Sequence, residues 1–86
     1  MGELTKLPNI GAKLEEQLTE AGITSAGQLR ETGSREAWLR ILSRDPSACY
    51  MRLSALEGAI QSVRWHNLDE QTKKGLKDFY KQHKHG

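Results

Sequence analysis

Eighty-six residues make one domain, with too little material for a deep pocket and a scaffold around it. The one cysteine, Cys49, excludes an intramolecular disulfide and a cysteine metal cluster. The short polar start and the lack of a long apolar run exclude a signal peptide and a membrane span, so a cytoplasmic protein is expected. The formal net charge of +2 says little about partners, but its distribution says more. Residues 1–33 carry Lys6, Lys13 and Arg30 against Glu3, Glu15, Glu16, Glu20 and Glu31, a balance of −2. Residues 73–86 carry five lysines against Asp78, a balance of +4.

A short helix is predicted over residues 2–6, stopped by Pro8, which lacks an N–H and disfavours helical geometry at Leu7. Gly11 is expected to supply backbone freedom at the far side of the turn. Residues 12–21 then place Leu14, Leu18 and Ala21 on one helical face. Gly22 reads as the C-terminal cap, with Ile23 returning to the core. Thr24 or Ser25 can cap a helix that turns Ala26 and Leu29 inward and ends at Gly33. Ser34 is the next candidate cap, followed by a helix over residues 35–43 with Trp38, Ile41 and Leu42 on one side.

Asp45-Pro46 reads as a helix start, with an acceptor side chain at the cap and proline at the first helical position. The helix predicted over residues 46–63 carries Cys49, Leu53, Leu56, Ile60 and Val63 in one apolar stripe. The last helix is predicted from about Asn67, where Asn67 and Glu70 have capping-box spacing; Leu68, Thr72, Leu76, Phe79 and Tyr80 form its inner face. Gly75 within it costs about 1 kcal/mol relative to alanine, which calls for a packing reason. No strand alternation competes. The expected fold is all-α: a compact bundle of five to six short helices forming one domain over residues 1–86, with residues 82–86 as a mobile tail.

Leu7-Pro8-Asn9-Ile10-Gly11, followed by Leu18, Gly22-Ile23 and Leu29, resembles the opening of the C-terminal domain of the TfoX family of competence regulators. Ala55-Leu56-Glu57-Gly58-Ala59-Ile60 and Trp65, ahead of a Leu/Lys-rich helix, are similar to the second half of that domain. The resemblance covers nearly the whole chain. It implies an N-terminal helix-hairpin-helix in a SAM-like bundle, and association with transcriptional regulation of DNA uptake in the longer two-domain members. This chain is expected to be a stand-alone copy of the domain.

A helix-hairpin-helix turn binds phosphate when glycines let the backbone approach and amides at the next helix start point at the anion. Asn9, Gly11 and Lys13 are the candidate phosphate contacts. Against them, DNA-binding versions usually carry glycine where this chain has Asn9, and Glu15, Glu16 and Glu20 follow closely. A second candidate surface is the flank of Lys73, Lys77, Lys81 and Lys84 on the last helix, since a basic stripe can track a phosphate backbone. More often such a stripe is simply solvated.

No catalytic constellation is present. Cys49 on an apolar stripe reads as an inert thiol. His66 fits capping or packing, Asp69 and Glu70 fit a helix start, and His83 and His85 near the end fit a tail better than a metal site. No nucleotide loop or metal-ligand spacing appears, so no enzyme activity, cofactor, metal or small-molecule substrate is expected. The acidic hairpin half favours a protein partner or self-association over DNA. The alternatives are non-specific duplex binding through hairpin and lysine flank, and a homodimer that buries Trp and Tyr residues. Trp38 and Trp65 are core residues by default; either one exposed beside Tyr50 or Tyr80 would mark an interface.

Overall fold

A computed structural model describes residues 4–84, without the side chain of Lys84. Gly2 and Glu3 of the predicted first helix, and His85 and Gly86 of the predicted tail, lie outside the described residues, as does the Lys84 side chain of the basic flank. Five α-helices follow one another: α1 (Ala12–Glu20), α2 (Ala26–Thr32), α3 (Ser34–Arg44), α4 (Tyr50–Gln61) and α5 (Glu70–Lys84). One 3-10 turn (Leu4–Lys6) precedes them and another (Trp65–Asn67) joins α4 to α5; no strand occurs among the described residues. The expected all-α bundle is what forms.

α4 is the axis of the bundle. Leu53, Ser54, Leu56, Gly58 and Ala59 are buried, and these positions take up most of its circumference. A helix buried on most sides must be covered by several neighbours, and α2, α3, α5 and the second 3-10 turn all pack on it. The predicted single stripe is therefore too narrow: Leu53 and Leu56 are fully buried, whereas Ile60 and Val63 are only partly so. The helix is also shorter than expected at both ends. The Asp45 carboxylate accepts the Ser47 amide and hydroxyl, and the Ala48 amide donates to the Asp45 carbonyl at 3.0 Å. Residues 45–48 thus form a side-chain-closed turn in which Pro46 sits, and the helix starts later, with Cys49 at its N-cap. Cys49 is half-buried, and its carbonyl accepts the Trp38 indole N–H at 3.2 Å. At the other end Ser62 turns left-handed (φ 62°), and the Val63 amide closes onto the Gly58 carbonyl at 2.8 Å.

Other ends follow the sequence more closely. Gly22 (φ 89°) ends α1 in a Schellman arrangement, with Ile23 N–H on the Leu18 carbonyl at 2.8 Å and the Ile23 side chain in the core. Ser25 caps α2 by accepting the Gln28 amide at 3.1 Å. Ser34 is not a cap: it is the first residue of α3, is buried, and donates its hydroxyl to Glu57 on α4 at 2.6 Å. The cap of α5 is Asp69 rather than Asn67, which ends the 3-10 turn; the Asp69 carboxylate accepts the Thr72 amide at 2.7 Å, which lowers its pKa. The contact behind Gly75 is a light one: an added Cβ would lie 3.2 Å from the guanidinium of Arg35, the far end of a flexible side chain.

The turn after the first 3-10 helix is fastened across the fold by Asn9. Asn9 is left-handed (φ 71°), whereas Gly11, expected to need that freedom, is extended (φ −94°, ψ −176°). The Asn9 side-chain amide donates to the Val63 carbonyl at 2.9 Å and reaches the Ala55 carbonyl at 3.5 Å; its oxygen accepts the Trp65 amide at 3.1 Å. This approach is open only because residue 58 is glycine: a Cβ there would lie 2.5 Å from the Asn9 side-chain nitrogen and 2.7 Å from the Val63 carbonyl oxygen.

Asp45 is a second clamp. Its carboxylate accepts Gln17 of α1 and Arg52 of α4, each at 2.8 Å, besides Ser47. The Ser47 hydroxyl bond, then Arg52, hold its pKa far below the ordinary 3.8. A carboxyl depressed in the fold stabilises above its unfolded pKa and loses that contribution as pH falls towards the folded value.

Two outcomes follow. Gly58→Ala should lower the unfolding free energy by about 2–4 kcal/mol in urea titration, through forced displacement of the Asn9 contacts, and Asn9→Ala should lower it by about 2 kcal/mol. The urea midpoint should fall as pH drops below about 4, and Asp45→Asn should be less stable at neutral pH and lose less on acidification.

Candidate functional site

The two surfaces named from sequence differ in what their residues do. At the hairpin, Asn9 faces inward and spends its side-chain polar atoms on the backbone of Ala55, Val63 and Trp65. Gly11 is exposed at the start of α1, where no side chain caps the helix. Lys13 is exposed on α1 and borders a broad shallow depression that it shares with Glu15, Glu16 and Glu20. The helix start therefore offers one ammonium group in the company of three carboxylates.

The lysine flank is different. Lys73, Lys77 and Lys81 step along α5 by four residues, and Lys73 and Lys77 with Lys74 line a groove of about 310 Å³ between α5, α4 and the second 3-10 turn. Tyr50 and Ser54 supply its α4 side, Trp65 its end, and Glu70 its one carboxylate. Lys81 is exposed a turn further on and does not border the groove. The walls are held in place. Trp65 is positioned by the hydrogen bond of its amide to Asn9. Tyr50 packs edge-on against Tyr80, ring centres 6.0 Å apart, and its hydroxyl reaches the Lys73 carbonyl at 3.4 Å. The Lys73 ammonium donates to the His66 carbonyl at 3.1 Å.

Ser54 is 1% exposed, and its hydroxyl has no hydrogen-bond partner. A buried hydroxyl left unpaired costs about 1–3 kcal/mol, and alanine is also the better helix former. Of the two tryptophans, Trp38 is fully buried between α3, Phe79 and Tyr80, whereas Trp65 is half-buried beside Tyr50. Sequence reasoning found Lys73 and Lys77 by spacing, and named Trp65 with Tyr50 as an interface marker if exposed. It missed Ser54 and Lys74. The available signal for Ser54 was its place one helical turn after Tyr50, a polar residue within an otherwise apolar segment.

Elsewhere the surface offers little chemistry. Among the described residues, no three His, Cys, Asp or Glu side chains gather to hold a metal ion, and no helix is long and apolar enough to cross a membrane.

The family profile of the TfoX C-terminal domain matches residues 1–80. The chain is similar to an uncharacterized protein from Listeria monocytogenes solved in a triclinic crystal form: TM-score 0.92, 49% identity, covering 94% of this chain and 92% of that one. It is also similar to a protein of unknown function from Listeria monocytogenes in a tetragonal form: TM-score 0.90, 51% identity, covering 92% of this chain and 96% of that one. No curated protein matches the chain.

Ser54→Ala should raise the unfolding free energy by about 1 kcal/mol, since it removes an unpaired buried hydroxyl and gains helix propensity. Urea denaturation of the two proteins side by side measures the difference.

Proposed function

The chain belongs to the TfoX C-terminal domain family, and we propose that it acts as a non-enzymatic helical interaction module that binds a protein partner in the cytoplasm. The observation that carries this reading is the inward turn of Asn9 at a hairpin whose following helix exposes Glu16 and Glu20 beside Lys13. A phosphate at that helix start would lose the Asn9 side chain as a donor and meet several carboxylates. A hairpin used this way is architecture, and binding falls to the rest of the surface. The half-buried Trp65 beside Tyr50 supports protein contact, because aromatic groups at a surface concavity are typical interface anchors. The regulatory role associated with longer relatives belongs to the same proposal, exercised through the partner.

The second reading is non-specific duplex binding, favoured by the regular spacing of Lys73, Lys77 and Lys81 on one helix. Gly11, Lys13 and the lysine flank would then share the phosphate contacts.

Titration of fluorescently labelled duplex DNA at low salt separates the two. The protein-binding reading expects no saturable binding. Saturable binding whose log affinity falls steeply with log salt, about 0.9 per phosphate neutralised, would overturn it in favour of DNA.

A further inference from the structure

We propose that the groove between α4, the 3-10 turn Trp65–Asn67 and α5 is the docking site for an acidic segment of a protein partner. An apolar side chain of that segment sits between Tyr50 and Trp65, and its carboxylates lie on Lys74 and Lys77. The proposal rests on the protein-binding reading above and gives it a place and a chemistry.

Three independent features meet there. The first is Ser54. Its hydroxyl is almost wholly buried, lines the groove and has no partner. Polar atoms of this kind weaken a fold and are retained where a ligand meets them; a peptide N–H or C=O entering the groove supplies the missing hydrogen bond. The second is charge. Three ammonium groups line the groove against the single carboxylate of Glu70, and neither Lys74 nor Lys77 is ion-paired within the described residues. Unpaired lysines around a concavity complement carboxylates.

The third is the apolar surface around Trp65. The indole borders the groove on one side and, on the other, a shallower depression with Met51 and Arg64. Met51 is the exposed large hydrophobic residue of the described chain, 47% accessible. Tyr, Trp and Met at the centre of a patch with cationic groups at its rim is the composition of a protein interface. A phosphate backbone fits less well: the concavity is local rather than a track, and Glu70 stands on its edge.

A random peptide library displayed on phage, selected on the immobilised full chain, tests the assignment. The recovered sequences should carry Asp and Glu around one or two apolar residues. A synthetic copy should shift the tryptophan emission, a signal that reports Trp65 because Trp38 is fully buried. The double substitution Lys74→Glu, Lys77→Glu at exposed positions should weaken binding by about tenfold or more, with unchanged thermal stability. Ser54→Ala should weaken binding while raising the melting temperature, a combination that a purely structural serine does not give.

Recovered peptides without acidic bias, or acidic peptides indifferent to the lysine reversal, would overturn the groove assignment while leaving a protein-binding module in place. An empty selection together with saturable, lysine-dependent duplex binding would overturn both. An empty selection with self-association that the lysine reversal abolishes would reassign the groove to a second copy of the chain.

Discussion

The carboxamide of Asn9, lodged against the backbone of Val63 and Trp65 over the bare face of Gly58, is the contact on which the rest of the arrangement rests. Taken singly, each member is unfavourable. A left-handed backbone costs an ordinary L residue about 1–2 kcal/mol and asparagine less, and a glycine in a helix interior costs about 0.5–1 kcal/mol relative to alanine. Together they allow hydrogen bonds that neither permits alone, each contributing about 1 kcal/mol. The clamp ties the N-terminal turn to the end of α4, keeps Ile10 in the core, and sets where Trp65 emerges at the surface.

α4 carries this arrangement because it is buried around most of its circumference, with Met51 on the open side. Each neighbour reads a different side of it: Asn9 at Gly58, Ser34 at Glu57, Asp45 at Arg52, and the groove at Tyr50 and Ser54. Most of these contacts are polar groups with partners. Ser54 departs from the pattern, and it does so where the surface is concave, aromatic and basic. Gln17 of α1 also buries an unpaired side-chain oxygen, beside a small depression next to Asp45; the groove at Ser54 differs in joining its unpaired hydroxyl to aromatic walls and three lysines.

Much of the fold was legible because local chemistry and final structure agree. Gly22 and Ser25 act at the ends where their residue types are preferred, and the apolar spacing of α1, α3 and α5 matches their buried faces. The misread helix starts share a feature. Ser34, Asp45 and Asn67 each have the composition of a helix cap; for Ser34 and Asp45 contacts outside the helix start decide how the side chain is used, whereas Asn67 closes the 3-10 turn and Asp69 takes the cap. Ser34 goes to Glu57, and Asp45 to Ser47, Arg52 and Gln17. The pairing of Asn9 with Gly58 spans half the chain, and no local pattern reports it. The lysines of the groove were visible as a stripe, whereas its floor and end wall come from α4 and the 3-10 turn, brought together only by folding.

The separation of the Asn9 contacts also bears on how the bundle forms. Its partners lie 54 and 56 positions further along the chain, so during synthesis the opening turn leaves the ribosome long before anything can fasten it. Closing so long a segment carries an entropic cost that is met only once α4 is in place. The turn at Asn9 is therefore expected to be among the last parts of the bundle to become ordered, with the arrival of Trp65 completing both the fastening and the adjoining groove.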